Sequence, residues 1–264
     1  MGGESESSIR MNVISLSMTV PKSHPRYESL MKRDRLIEAY KSGMVAEAGM
    51  IAHGRGEAFD YLLGECTLPE AEEAEMVAAA LLLNARNPVI SVNGNVAALC
   101  PEAVAELARA IPAKVEVNLF YRTDDRMHKV IKHLEDHGAE NVLGLEPDAR
   151  IPGLEHARGL CTNEGIFTAD VILVPLEDGD RAQALRKMGK TTIVIDLNPL
   201  SRSARFASVT IVDEVTRAIP NITELAMQMR GQPVPEFDNS RNLRKAIDNI
   251  SNALFEVRCA YGSG

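Results

Sequence analysis

Between residues 88 and 230, short apolar runs alternate with amphipathic stretches, and this alternation constrains the fold more than any other property of the chain. Residues 89–92, 114–119, 171–176, 192–195 and 208–212 read as strands, with 141–145 as a further short one. Helical periodicity fills 101–111, 124–137 and 181–188, and 151–165 reads as a long loop. Continuous apolar strands are buried on both faces, and strands separated by helices pair in parallel. The pattern predicts an α/β fold: a doubly wound, Rossmann-like, mostly parallel sheet. Further helices are expected at 26–40 and 69–85 before this core, and at 222–230 and 243–257 towards the end. The expected organisation is a flexible tail over 1–17 followed by one α/β domain over 18–264. Within it lie an N-terminal helical part (24–86), the core (87–230) and a C-terminal helical segment (239–258).

In such folds ligands sit beyond the carboxyl ends of the strands. Three loops qualify: Asn93-Gly94-Asn95, Glu177-Asp178-Gly179-Asp180 and Asp196-Leu197-Asn198-Pro199. Any one alone reads as an ordinary turn; three together favour a site. The third continues through Ser201, Arg202, Ser203 and Arg205. An acid at a strand end can hold a ribose hydroxyl, and arginines and serines can hold phosphates. Two further segments are rich in polar groups. Arg26 and Arg33 lie seven residues apart, two helical turns, so they can share a face. In His53-Gly54-Arg55-Gly56-Glu57 the glycines would let a ligand approach the backbone while Arg55 makes forked bonds to phosphate or carboxylate. The same segment also reads as a flexible turn with a solvated arginine. Arg122, Arg126, Arg150 and Arg158 add positive charge, although Arg126 can also pair with acids on its own helix.

Other patterns are decoys. Met188-Gly189-Lys190-Thr191 ends like a phosphate-binding loop, but position 184 is alanine where a glycine is required, and the segment precedes a strand. A G-x-G-x-x-G fingerprint is absent, which disfavours a dehydrogenase. His128, His133 and His137 share a helix at spacings that match no zinc motif, and no metal-ligand set emerges. Cys66, Cys100, Cys161 and Cys259 form no close pair, as expected of reduced thiols in a cytosolic chain. Glu4 and Glu6 argue against a signal peptide, and the longest apolar run, 76–83, is too short to cross a bilayer. The net charge of −8 disfavours nucleic acid and anionic membranes as partners. Any anionic ligand must be held by local positive charge against the global sign.

Longer strings carry a resemblance. Ser-His-Pro-Arg-Tyr-Glu-Ser-Leu at 23–30, Ile-Ala-His-Gly-Arg-Gly-Glu-Ala-Phe-Asp-Tyr-Leu at 51–62, Pro-Val-Ile-Ser-Val-Asn-Gly-Asn-Val-Ala-Ala-Leu at 88–99 and Asn-Leu-Phe-Tyr-Arg-Thr at 118–123 are four of them. Ile-Pro-Gly-Leu-Glu-His at 151–156, Val-Pro-Leu-Glu-Asp-Gly-Asp-Arg at 174–181 and Ile-Asp-Leu-Asn-Pro-Leu-Ser-Arg-Ser-Ala-Arg at 195–205 are the others. Over about 21–230 the chain resembles the archaeal 4-phosphopantoate–β-alanine ligases, or phosphopantothenate synthetases; the ends fall outside the resemblance. It implies an ATP-dependent amide-forming ligase of coenzyme A synthesis, a Rossmann-like homodimer, Mg²⁺ and an archaeal cytoplasm. It also implies ATP-binding roles for Arg33, Arg55, Asp196, Leu197, Asn198, Arg202, Ser203, Glu214 and Val215.

The implied chemistry activates a carboxylate as an acyl-adenylate, which an amine then attacks with loss of AMP. Positive charge is needed where two anions meet, and Arg33, Arg55 and Arg202 are the candidates, with Mg²⁺ bridging phosphate oxygens. Arg26 and Arg122 are expected at the phosphate of phosphopantoate, with His53 and Asn95 as neutral donors. Glu57 or Asp178 is expected to hold the β-alanine ammonium and accept its proton. The runner-up from another class is a non-catalytic nucleotide-binding regulator of the same fold.

Overall fold

The computed structural model describes residues 20–176 and 178–261; the tail expected over 1–17, and Glu177 of the second strand-end loop, lie outside the described residues. Three helices come first: α1 (Tyr27–Lys41), α2 (Glu47–Leu62) and α3 (Pro69–Asn84). The alternating part follows as β1 (Pro88–Val92), α4 (Gly94–Leu99), α5 (Pro101–Ala110), β2 (Lys114–Val117) and α6 (Asp124–Asp136). A short ribbon, β3 (Ala149–Arg150) with β4 (Leu160–Cys161), leads to β5 (Val171–Pro175) and α7 (Gly179–Lys187). The chain then forms β6 (Thr191–Ile195), α8 (Arg202–Phe206), β7 (Val209–Ile211), α9 (Val215–Gln228) and α10 (Asn239–Tyr261).

The main sheet has the order β2-β1-β5-β6-β7, and every pair in it is parallel. Counting only its own strands, this is the order 2-1-3-4-5, the flavodoxin-like variant of the doubly wound fold. The winding reverses between β1 and β5, so the crevice that receives ligands opens there. All residues of β1 and β5 are buried, as their unbroken apolar character requires. Ile90, Val92 and Leu173 face the larger core with α3, α5, α6 and α9. Val89, Ile172 and Val174 face a second core with α7 and the segment around Ile151 and Ile166. Helices therefore cover both faces.

Four expectations change in detail. The segment around Arg55 is not a turn but the middle of α2. Two interior glycines weaken a helix by about 1 kcal/mol each, and here tertiary ties outweigh that: Asn95 Nδ2 donates to the Gly49 carbonyl (2.8 Å) and Arg217 holds Asp60. Residues 141–145 reduce to one parallel bridge of Leu143 to Glu116. The segment 151–165, expected as a loop, contains part of the ribbon, a 3₁₀ turn (Ala157–Gly159) and the start of a π turn (Asn163–Phe167). The helix expected from 222 begins at Val215 and runs through Pro220, a residue that reads as a stop in sequence but lies inside α9, which there forgoes one backbone bond.

Candidate active site

A cavity of about 680 Å³ lies over the carboxyl edge of the sheet, within the roughly 300–1,000 Å³ typical of small-molecule and cofactor sites. Every strand of the main sheet sends its following loop to it: Asn93–Asn95 after β1, Leu119–Tyr121 after β2, Leu176 and Asp178 after β5, Leu197 after β6 and Glu214–Arg217 after β7. One face of α2, including Gly49, Ala52, Gly56 and Asp60, forms the opposite wall. Those positions recur at helical spacing and carry short side chains, which leaves the space open. Gly56 meets the wall at Leu197: a β-carbon there would stand 3.5 Å from Leu197 Cδ1.

The floor is held by the switch-point residues. Asn93 caps α4 by accepting from the backbone N–H of Asn95 and Val96, and its Nδ2 donates to the carbonyls of Pro175 (3.1 Å) and Leu176 (3.2 Å). This ties the ends of β1 and β5 together. Leu176 has φ 54°, a left-handed backbone that a branched residue rarely adopts. Its N–H donates to Ile195 (3.0 Å) and its carbonyl accepts from Asn93, so both neighbouring strand ends fix the strained turn.

On the roof, Glu57 gathers the α1 cations. Arg33 Nη2 lies 2.7 Å from each carboxylate oxygen and Nε 3.2 Å from Oε2; Ser29 and Tyr61 donate at 2.7 and 2.8 Å. Arg26 joins at 3.4 Å and donates to Tyr61 at 2.6 Å. Burial pushes the Glu57 carboxyl up, but the bonds from Arg33, Ser29 and Tyr61 outweigh it and hold it down to about 2. A carboxylate this acidic organises cations and is a poor proton acceptor. Lys32 reaches across to Glu214 (2.9 Å), which also caps α9 by accepting from the Thr216 N–H (2.9 Å). Burial pulls the His53 imidazole below its usual range, against the influence of Glu57 and Glu214, so it is neutral at pH 7.

The loop after β6 is built around Asp196. Its carboxylate accepts from the Asn198 N–H (3.0 Å), from Ser203 (3.1 Å) and from Ser201, which itself caps α8. Burial pushes the Asp196 carboxyl up, while Ser201, Asn198, Ser203 and the charge of Arg55 pull it down. Arg55 is exposed and stands on this side of α2, whereas Glu57, two residues on, faces Arg33. Arg202 is exposed and pairs with Asp180 (2.7 Å).

The sequence-derived positions therefore fall into two groups. Arg26, Arg33 and Glu57 converge under α1, with His53, Asn95, Asp178, Leu197, Glu214 and Val215 on the cavity wall. Asp196, Asn198 and Ser203, with the charge of Arg55 nearby, form a second group, while Arg202 pairs with Asp180; none of these five lines the cavity. Arg122 joins neither: its Nη2 donates to the carbonyls of Gly144 and Leu145, both at 2.7 Å, which fixes the loop after β2. Arg126 makes no pair with acids of its own helix; it lines the cavity, as does Arg158.

Lys32, Asp60 and Arg217 belong to the wall without having been singled out in the sequence. Arg217 lies in the first turn of the helix after the last strand, a position legible only if Pro220 is allowed inside that helix. It bridges Asp60 and Asp213, and Asp213 accepts from Thr67 (2.6 Å). Asn221 extends this network to the buried Glu75 (3.1 Å). Burial pushes the Glu75 carboxyl up to about 8, against the Asn221 bond and with the help of Asp213 and Glu72. The folded state thus keeps a proton that the unfolded chain loses near the usual carboxylate range, so this residue destabilises the fold increasingly from about pH 4.5 to about pH 8. Glu75→Gln is expected to raise the melting temperature over wild type more at pH 8.5 than at pH 5. Melts at the two pH values check this, and an equal difference at both would overturn it.

The comparisons with known proteins agree on one family. The phosphopantothenate/pantothenate synthetase family matches residues 70–253. The 4-phosphopantoate–β-alanine ligase of Thermococcus onnurineus is 55% identical over 246 residues, 90% of this chain and 94% of the relative. That of Thermococcus kodakarensis is 52% identical, over 90% and 94% of the two chains. That of Methanosarcina mazei is 50% identical, over 92% and 98%. The likeness does not stop near residue 230, as the motif strings had implied, but continues into α10.

Proposed function

Because the chain belongs to the phosphopantothenate/pantothenate synthetase family, we propose that it is an ATP-dependent ligase that condenses 4-phosphopantoate with β-alanine. In this reading the products are 4′-phosphopantothenate, AMP and pyrophosphate. The observation that carries the reading is the cavity at the strand ends, which sets Lys32, Arg126, Arg158 and Arg217 among the carboxylates of Glu57, Asp60, Asp178 and Glu214, a lining that can take both anionic and ammonium groups.

A carboxylate resists amine attack because its oxygen is a poor leaving group. Transfer of the adenylyl group to that oxygen forms a C(O)–O–P bond and breaks the α–β phosphoanhydride, releasing pyrophosphate. The amine then displaces AMP. Anion meets anion in the first step, and Arg33, Arg55 and Arg202 supply the compensating charge. Asp196–Asn198, Ser203, Glu214 and Val215 hold the nucleotide. Asp178 on the wall suits the β-alanine ammonium; Glu57, already clamped by Arg33, orients that arginine instead. His53, neutral at pH 7, is the better proton acceptor of the roof residues.

Among the described residues no three His, Cys, Asp or Glu side chains group as a metal site. Magnesium would instead be held mainly through the substrate phosphates, with at most one or two carboxylates. When bound it spreads phosphate charge. A cytoplasmic homodimer completes the reading, and the exposed Leu254 and Phe255 of α10 suit a second copy.

The test uses purified protein, ATP, Mg²⁺, 4-phosphopantoate and β-alanine. AMP release dependent on both acid and amine is expected. ADP in its place would overturn the adenylate, and ATP binding without turnover would favour the regulator.

A further inference from the structure

Behind the roof lies a buried acid that the ligase chemistry does not use. Glu75, on α3, is 1% exposed. Asn221 Nδ2 donates to its two carboxyl oxygens at 3.3 and 3.1 Å and also reaches Thr67 Oγ1 (3.4 Å). The Thr67 hydroxyl donates to Asp213 (2.6 Å), which accepts from Arg217 Nε (2.8 Å); Arg217 Nη1 donates to Asp60 (3.1 Å). A continuous chain of side chains thus runs from α3 to α2, and its last two members, Arg217 and Asp60, line the cavity.

Among the described residues no cation bonds to Glu75, and Arg217 acts on it only through space. The other charges that face it are acidic: Asp213, ahead of α9, and Glu72 on α3 itself. Helix α10, also packed on α3, sends Lys245 to Glu73 and Asn249 to Glu70 instead. Strands β5 and β7 present no titratable side chain to it. A buried carboxyl among acids, given only an amide donor, keeps its proton. With Glu75 neutral, Arg217 serves two carboxylates, Asp60 and Asp213. With Glu75 ionised, a third buried carboxylate draws on the same guanidinium, where water and salt screen little. It then competes for Arg217 with Asp60, the residue that α2 buries.

We propose that Glu75 is a positioning residue for the cavity roof: its proton leaves Arg217 to Asp60, and loss of that proton loosens the Asp60 end of α2. Opening and ionisation are then linked, because an Arg217 released from Asp60 stabilises the ionised Glu75. The acid gives up its proton at lower pH when the roof is open than when it is seated. Opening of α2 therefore increases with pH up to about 8, where the seated acid titrates, and levels off above it.

Hydrogen exchange of the free protein, read on the amides in the last turns of α2 and corrected for intrinsic rates, tests this without any substrate. Between pH 6.5 and pH 9 the opening constant of α2 in wild type is expected to rise about tenfold, the equivalent of one unit of displacement in the titration of the acid. In Glu75→Gln, which can still accept from Asn221 and cannot ionise, the rise is expected to stay below about twofold. Glu75→Met, close in volume and equally unable to ionise, decides the matter if the glutamine variant does not fold. A merely structural Glu75 would change only the exchange that goes through global unfolding, seen on the sheet amides, and would leave the local opening of α2 level with pH. A level α2 profile in wild type, or an equal rise in wild type and Glu75→Gln, would overturn the proposal. The measurement is independent of the ligase reading: protein that releases no AMP would remove that reading and leave the exchange result standing.

Discussion

Arg55→Ala is expected to lower kcat/KM by about 10²–10³-fold, the loss typical of one preorganised transition-state donor, with a thermal midpoint unchanged within error. The side chain is exposed, and its electrostatic neighbour is Asp196 across the edge of α2. Alanine also favours a helix, the more so between Gly54 and Gly56. Truncation therefore removes charge beside Asp196 and nothing from the core. Steady-state kinetics together with a circular-dichroism melt check both halves. Full turnover in the variant would take Arg55 out of the site, and a lowered midpoint would make it structural.

Gly165→Ala should be the most damaging small substitution for stability, by about 3 kcal/mol or more. A β-carbon at 165 would stand 2.0 Å from Glu116 Oε2 and 2.5 Å from Thr162 Oγ1. Glu116 is fully buried on β2, and its carboxylate is satisfied by the Thr162 N–H (2.8 Å), Thr162 Oγ1 (2.9 Å) and the Ile166 N–H (2.7 Å). The added methyl displaces an acceptor that has no water to turn to. For a chain of this size the melting temperature is expected to fall on the order of 10 °C. Differential scanning calorimetry reads it, and a shift under about 2 °C would mean that the π turn has room to give.

The parallel sheet was legible because β1, β5 and β6 are apolar on both faces, and a both-sided apolar run has few other homes. The strand-end loops were legible for the same reason, since the topology alone sends them to one edge. Segments whose structure depends on distant partners were not. The sequence of α2 reads locally as a break, because what makes it helical is Asn95, Arg217 and Arg33, respectively 46, 157 and 24 residues from their partners on it. The start of α9 was hidden by Pro220, and Arg217 with it. Arg122 and Arg126 are alike in sequence, four residues apart, and only the fold reveals that one braces a loop and the other faces the cavity.

The attachment of α2 has a consequence for the conditions under which the site keeps its shape. The only residue this helix buries is Asp60, a charged one. Beside the Asn95 bond to Gly49 and the packing of Met50 and Phe59, the roof is seated by the ion pairs of Arg217 on Asp60, Arg33 on Glu57 and Lys32 on Glu214. Ionic strength screens such pairs in proportion to their exposure, whereas apolar packing is indifferent to it or strengthened by it. The sheet and its apolar cores thus belong to one regime and the ion-paired side of the roof to another. Salt loosens the half-exposed Arg33 pair before the better buried Arg217 pair, so the side of the roof facing α1 yields first while the floor stays rigid.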